Sequence, residues 1–300
     1  MIAVFGHRGA RGLAPENTLP GFFLASRLGV TGIELDIRLT ADKIPVIHHD
    51  ARPHPDIARI ASGAYVSAAA PLIRDLTRPQ LAEFDVGRLR RHSNYARQYP
   101  AQKGQDGVRI PTLAEVLAAC PVLDLLVEIK SEPDAPYPPA ELATQVLQVL
   151  SRAGATGRAV IFAFDWRILE EMARLAPSLR RGCLTDAHIA DRAALRFGPE
   201  PRPGACEHEP PGSLPRAVAS TGAAIWAPNH KTISAAELAE AHRLGLAVIP
   251  WTVNDHRDIR RMIELQVDGI ISDVPDQAIA LLAAHGMAPA PPGFIDRLSP

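Results

Sequence analysis

One pattern constrains the fold of this chain more than any other: short β-like apolar runs alternate with helical patterns along most of its length. The runs span residues 2–6, 33–37, 125–130, 159–164, 180–184, 223–226, 247–252 and 269–272. Most are followed by a helix-like stretch. Residues 18–28 carry Phe22, Ala25 and Leu28 at helical spacing, and residues 140–153 carry Leu142, Val146, Val149 and Leu150. Thr112 and Glu115, and again Ser234 and Glu237, have the spacing of a capping box. Asp165 stands as N-cap to residues 166–176, and Gly245 closes the helix begun at Ser234. Residues 257–265 and 276–284 complete the series. Repeated β–α alternation predicts a parallel sheet with helical covers. Eight units in 300 residues suggest an α/β chain closed as a (β/α)8 TIM barrel. An open doubly wound sheet is the alternative that periodicity alone leaves standing.

Two stretches break the rhythm. Residues 49–108 hold no clear βα unit and carry turn signals at Pro53, Pro55, Gly63 and Pro71. The expectation is a single barrel domain over residues 1–285, with an insertion at about 50–108 over its catalytic face. Residues 185–212 are proline-dense and read as a long loop. Residues 286–300 read as a peripheral, Pro/Ala-rich tail.

Composition narrows the function. Hydrophobic residues make up 47%, charged residues 22%, and the formal net charge is −1. That excludes charge-driven disorder and argues against a nucleic-acid binder working through basic charge. Cys120, Cys183 and Cys206 are an odd number without metal-like spacing, so neither a disulfide framework nor a zinc finger is expected. No run of about 18 apolar residues indicates a membrane span. No signal peptide is recognisable at the N-terminus, so a complete chain is expected in the cytoplasm, and a chain whose leader was trimmed in the periplasm.

The most informative segment is Gly32-Ile33-Glu34-Leu35-Asp36-Ile37-Arg38. Side chains alternate faces along a strand, so Glu34 and Asp36 share one face. Two neighbouring carboxylates inside a sheet are costly unless paired or bound to metal. Glu128 and Lys130 share a face in the same way, and Lys130 is one of only four lysines. Oxygen-only ligands suit Mg²⁺ or Ca²⁺. A network of ion pairs inside the barrel explains the spacing as an alternative.

Three further places carry polar chemistry. His7 and Arg8 sit where the first strand should end, on the face of a barrel that bears active sites. A lone histidine there is commonly structural, but guanidinium beside it matches phosphate. His48 and His49 end the apolar run Pro45-Val46-Ile47. Histidines from different strands could serve as acid and base across one centre, or form a neutral buried pair or a transition-metal site. Trp251 reads either as core packing or as an aromatic wall for a substrate.

Taken together these residues resemble the glycerophosphodiester phosphodiesterase family. His7-Arg8-Gly9 followed by Pro15-Glu16-Asn17-Thr18 is similar to that family's HRG…PENT signature. Glu34-x-Asp36 and Pro45-Val46 leading to His49-Asp50 continue it. Pro111-Thr112-Leu113, Glu128-Ile129-Lys130, Trp251-Thr252-Val253-Asn254 and the block from Asp268 to Pro275 follow in order. The resemblance covers about residues 4–276.

It implies a (β/α)8 barrel with an insertion after the second strand. It implies hydrolysis of glycerophosphodiesters to glycerol 3-phosphate and an alcohol. Carried over residue by residue, His7 and His49 are the acid/base pair, and Glu34, Asp36 and Glu128 bind the divalent cation, Mg²⁺ or Ca²⁺. Arg8 and Lys130 hold the phosphate, Trp251 lines the site, and Glu16 and Asn17 are supporting or helix-capping residues. One departure is visible: similar sequences often end the fourth strand in Ser-Phe, whereas this chain has Ala163-Phe164. The expected partner is a small-molecule glycerophosphodiester, with no nucleic acid and no stable membrane insertion. A lysophospholipase D or another phospholipase-like phosphodiesterase on the same barrel is the nearest rival. A catalytically silent binder of phosphorylated ligands is a more distant one.

Overall fold

The computed structural model describes residues 1–131, 137–186 and 213–298. One sheet holds β1 (Ala3–Gly6), β2 (Gly32–Leu39), β3 (Pro45–Ile47), β4 (Asp124–Ile129), β5 (Ala159–Ala163), β6 (Arg180–Thr185), β7 (Ile225–Pro228), β8 (Ala247–Val248) and β9 (Gly269–Ser272). Its order is β8-β7-β6-β5-β4-β2-β1-β9, with every neighbour in that series parallel. Backbone bonds from Asp268 N to Val248 O and from Ile271 N to Pro250 O, both 3.0 Å, link the two end strands. The eight parallel strands therefore form a nearly closed barrel, as the alternation predicts. The open-sheet alternative is set aside.

The helices in chain order are α1 (Leu19–Leu28), α2 (Arg78–Leu81), α3 (Asn94–Gln98), α4 (Leu113–Ala119), α5 (Pro139–Arg152), α6 (Trp166–Leu175), α7 (Leu214–Ala219), α8 (Ala235–Arg243), α9 (His256–Leu265) and α10 (Pro275–Ala284). Both predicted capping boxes form, at α4 and α8. Asp165 caps α6 by accepting from Arg167 N. α7 was not foreseen from its sequence; it is only six residues long and begins from a Ser213 cap. Of the loop expected over residues 185–212, positions 187–212 lie outside the described residues.

Strand alternation divides the interior into two cores. Outward-facing Ile33, Leu35, Ile37, Val127 and Ile129 pack under the helices. Inward-facing Phe5, Leu126, Val160, Phe162, Ile249 and Ile271 fill the barrel. Gly182 makes room for the Phe162 ring: a Cβ built there would lie 2.2 Å from it. Phe162 thereby closes the barrel beneath the site as a fully buried plug.

β3 was read only as an apolar run. It pairs antiparallel with β2, with Ile37 opposite Ile47 and Leu39 opposite Pro45. The reversal matters because β2 carries on past Asp36 and β3 brings the chain back to the level of Asp36. His48 N then donates to Asp36 O at 2.9 Å. The stretch that follows has its own small core of Ile57, Ile73, Leu76, Leu81, Val86, Val108 and Ile110. It reaches the barrel through Tyr95 and Tyr99, whose hydroxyls donate to Glu16 and Asp273.

The tail differs from the expectation of a peripheral segment. Ala290 and Ile295 are buried and belong to the barrel core. Thr31 Oγ1 donates to Ala290 O, and the Asp124 carboxylate accepts from Gly293 N (2.9 Å) and Ile295 N (3.0 Å). The Pro/Ala composition suggested looseness, whereas the segment closes the end of the barrel at which Asp124 begins its strand. Composition does not reveal this, because the partners lie about 170 residues away in sequence.

Asp124→Ala leaves those backbone donors without their acceptor. We expect a loss of about 1–3 kcal/mol of stability, since buried unpaired donors carry that penalty. The urea midpoint measures it, and an unchanged midpoint would show that the tail contributes nothing.

Candidate active site

The site is built on the inward face of β2. Glu34 and Asp36 project into the barrel, and Asp36 lies opposite Glu128 in the β2–β4 register. All three are buried. One oxygen from each lies within 4.8 Å of the others. Lys130, just past the end of β4, places its Nζ 2.9 Å from Asp36 Oδ1 and 2.5 Å from Glu128 Oε1. Arg8 Nε approaches Asp36 Oδ2 at 3.2 Å. The alternative of an internal ion-pair network is therefore real for part of the cluster. It does not reach Glu34 Oε1, which is buried with no hydrogen-bond partner. Asp36 Oδ1 likewise has its lysine contact without an aligned hydrogen bond.

Charge shows the same imbalance. Glu16, Glu34, Asp36 and Glu128 face the two cations Arg8 and Lys130. Burial, together with repulsion from Asp36 and Glu128, pushes the Glu34 carboxyl well above its ordinary range. Burial would also raise Asp36, but Lys130 and Arg8 outweigh it and hold this group well below that range. For Lys130 burial pulls downward, and Asp36 and Glu128 keep it above its usual value. The donors are all oxygen, and Glu34 is the acid whose charge the neighbours compensate least. A divalent hard cation fits this donor set.

The turn after β1 supplies the next groups. Arg8 adopts a left-handed conformation at φ 51° and its backbone N donates to Glu34 Oε2 at 3.0 Å. Such a conformation costs a non-glycine residue of order 1 kcal/mol. It is held by the ion pair of Arg8 Nη1 with Glu16 Oε1 (2.9 Å). Glu16 and Asn17 do not cap α1; Thr18 does, accepting from Gly21 N. Asn17 donates from Nδ2 to Asp36 Oδ2 at 2.8 Å, and so holds an acid of the cluster in place.

His7 Nδ1 lies 2.6 Å from Asp273 Oδ1, and its Nε2 lies 3.7 Å from Glu34 Oε2. Burial would raise Asp273, but His7 and Arg11 outweigh it and keep it a carboxylate. His7 Nδ1 must then carry the proton, which leaves the Nε2 lone pair toward the acids. Burial, opposed by Asp273 and assisted by Arg11, lowers the His7 pKa to about 4. His49 has a matching partner: its Nδ1 lies 2.7 Å from Asp50 Oδ1. Arg38 donates from Nε and Nη2 to His49 O at 2.9 and 2.7 Å. His48 turns away and meets Arg52 O through Nε2.

A cavity of about 340 Å³ collects these groups: His7, Arg8, Glu34, His49, Glu128, Lys130 and Trp251 all line it, and Asp36 lies buried beneath. Trp251 donates from Nε1 to Ala227 O at 2.9 Å and meets Phe164 edge-on, with ring centres 5.4 Å apart. It is therefore a wall of the cavity. Sequence reasoning assigned no role to Asp50, Asp273, Arg11 or Asn254. Arg11 forms a two-point pair with Asp273, and Asn254 Nδ2 donates to the same carboxylate at 2.7 Å. Asp50 and Asp273 stood inside the quoted motifs, so a signal was present; their partnership with histidines depends on contacts made only in three dimensions. Among the described residues, no helix is long and apolar enough to cross a membrane.

Comparison with known proteins identifies relatives of the whole chain. The model of the glycerophosphoryl diester phosphodiesterase family matches residues 7–277. A glycerophosphodiester phosphodiesterase of Caldanaerobacter subterraneus is 28% identical over 94% of this chain and 98% of its own. A Silicibacter pomeroyi protein named after the glycerophosphoryl diester phosphodiesterases has a crystal structure with a TM-score of 0.89. It is 34% identical, and the match covers 97% of this chain and 96% of that one. An Oleispira antarctica phosphodiesterase, solved in complex with the product sn-glycerol-3-phosphate, shares the fold at a TM-score of 0.71. It is 21% identical over 94% of this chain and 96% of its own. With the barrel, its acidic cluster and this match over residues 7–277 in hand, the chain belongs to the glycerophosphoryl diester phosphodiesterase family and is a phosphoric diester hydrolase.

Proposed function

We propose that the enzyme hydrolyses glycerophosphodiesters to glycerol 3-phosphate and an alcohol, with a divalent cation and two histidines. The observation that carries this reading is a cluster of three buried carboxylates, two of which line the cavity that His7 and His49 also line. The product bound by the Oleispira antarctica relative supports the same substrate class. Glu34, Asp36 and Glu128 hold the cation, and oxygen donors favour Mg²⁺ or Ca²⁺. When bound, the cation supplies Lewis-acid polarisation of the phosphoryl group.

The chain's own residues do the rest. Lys130 and Arg8 offset the charge of the phosphodiester, a preorganised effect worth several kcal/mol at such sites. One imidazole takes the proton of the attacking hydroxyl while the other gives a proton to the departing alkoxide. A P–O bond to the alcohol breaks, a P–O bond to the incoming oxygen forms, and the proton count closes on neutral alcohol. Asp273 and Asp50 orient the rings, so that Nε2 of each is the atom available for transfer. Phe162, Phe164 and Trp251 exclude water from one side. The stretch 50–108 is tied to residues that support the site: the Tyr95 hydroxyl donates to Glu16 and that of Tyr99 to Asp273.

His7→Ala and His49→Ala should each lose about 10²–10⁴-fold in kcat on glycerophosphocholine, with circular dichroism and cation affinity little changed. A variant with near-native turnover would refute the acid/base pair. Chelator should abolish activity, and Mg²⁺ or Ca²⁺ should restore it.

Thermal melting tests the metal site without turnover. Added cation should raise the Tm of the native chain and leave Glu34→Gln unmoved, since only a bound ion shifts the folding equilibrium. In metal-free protein the same variant should match or exceed native Tm, because it removes repulsion among buried acids. Equal cation responses in both proteins would remove Glu34 from the ligand set.

A further inference from the structure

We propose that Tyr95, carried by the insertion on α3, is a positioning residue: its hydroxyl stands between the ion pair that holds Arg8 and the ion pair that supports His7, and keeps the two apart. The proposal rests on the functional reading above, and adds a part for the insertion in the reaction. Tyr95 is not among the residues that line the site cavity, so it acts through others.

Two charge pairs lie side by side here. Arg8 Nη1 binds Glu16 Oε1 at 2.9 Å. Arg11 binds the Asp273 carboxylate at two points, 2.8 and 2.9 Å, and Asp273 in turn holds His7 Nδ1 at 2.6 Å. The Tyr95 hydroxyl touches both pairs. It donates to Glu16 Oε2 and accepts from Arg11 Nη1 at 3.4 Å. Each Glu16 oxygen thus has its own donor, and Arg11 is left to Asp273.

Without that hydroxyl the pairs can exchange partners. The Glu16 side chain is only 8% exposed. Burial would raise its pKa, but Arg8, Arg11 and the Tyr95 hydroxyl outweigh that, so it stays a carboxylate. A buried carboxylate oxygen stripped of its donor is costly and turns to whatever donor is at hand. Arg11 Nη1 already lies beside the hydroxyl. Arg11 drawn toward Glu16 loosens Asp273, and with it the His7 ring. Glu16 drawn toward Arg11 loosens Arg8. Either shift moves a group that lines the site cavity.

Tyr95 is itself held firmly. Burial and the Glu16 charge push its hydroxyl well above the ordinary range, so it keeps its proton and donates. Its ring packs between His54, with centres 5.2 Å apart, and Tyr99, at 5.1 Å. The Tyr99 ring carries the Arg11 guanidinium over its face at 4.8 Å. His54 and Tyr99 both belong to the insertion, so the hydroxyl is fixed only when the insertion is docked.

A tie that merely docks the insertion would affect stability and leave the chemistry of the folded enzyme alone. The cation-loaded enzyme acting on glycerophosphocholine separates the two. Tyr95→Phe keeps the ring and removes the hydroxyl. It should lower kcat/KM about tenfold or more where circular dichroism shows the variant folded. In a Glu16→Gln background the same change should cost less than about threefold, because the carboxylate through which Tyr95 acts is already neutral. Val86→Ala loosens the buried core of the insertion instead, and should leave kcat/KM within about twofold.

Unchanged kcat/KM in Tyr95→Phe, equal losses in the two backgrounds, or a loss no larger than that of Val86→Ala overturns the proposal. Should Tyr95→Phe alone fail to fold, adding Glu16→Gln should restore folding by removing the charge left without a donor. A double variant that also stays unfolded overturns the proposal. A native enzyme that leaves glycerophosphocholine intact overturns the functional reading, and this proposal with it.

Discussion

Three buried carboxylates that cannot all be neutralised by their own neighbours are the constraint on which the site depends. Glu34, Asp36 and Glu128 are set side by side because β2 and β4 are parallel neighbours in fixed register. Lys130 and Arg8 compensate part of their charge. A buried carboxylate without full compensation is expensive, and a folded chain retains such a cluster only where something else repays it. Glu34 Oε1, buried without a partner, is where the remaining deficit lies.

The surrounding structure is arranged to hold that cluster and to approach it from two sides. The left-handed turn at Arg8 aims a backbone donor at Glu34, and Asn17 fixes Asp36. His7 comes from the end of β1 and His49 from a hairpin that turns back on β2. Each ring is tethered through Nδ1 to an aspartate, and these aspartates come from widely separated parts of the chain. Two independent routes thus bring similar His–Asp pairs to one cavity. The departure at Ala163 leaves no hydroxyl at the end of β5, and Phe164 beside it stands against Trp251. That part of the wall is aromatic.

Much of this was legible beforehand, for identifiable reasons. The (β/α)8 barrel followed from the alternation of apolar runs and helical patterns, which is a local property of the sequence. The shared face of Glu34 and Asp36 followed from the two-residue period of a strand. Other features were hidden. β3 is too short to be told from any apolar run, so the return of His48 to the level of Asp36, with His49 next in line, could not be read. The tail looked loose because its partners, Asp124 and Thr31, lie far upstream. Glu16 and Asn17 were read as supporting or helix-capping residues; their bonds to Arg8 and Asp36 depend on how the turn before α1 folds back.

By itself the sequence determined the repeating β–α order, the faces on which the acids stand, and the chemical types available for catalysis, because periods of 2 and 3.6 residues are written in neighbouring positions. The tertiary structure alone decided which aspartate orients which histidine, which oxygen is left without a partner, and which of these groups line one cavity. Those are properties of distances between residues far apart along the chain, and only barrel closure and the docking of loops on its rim set such distances.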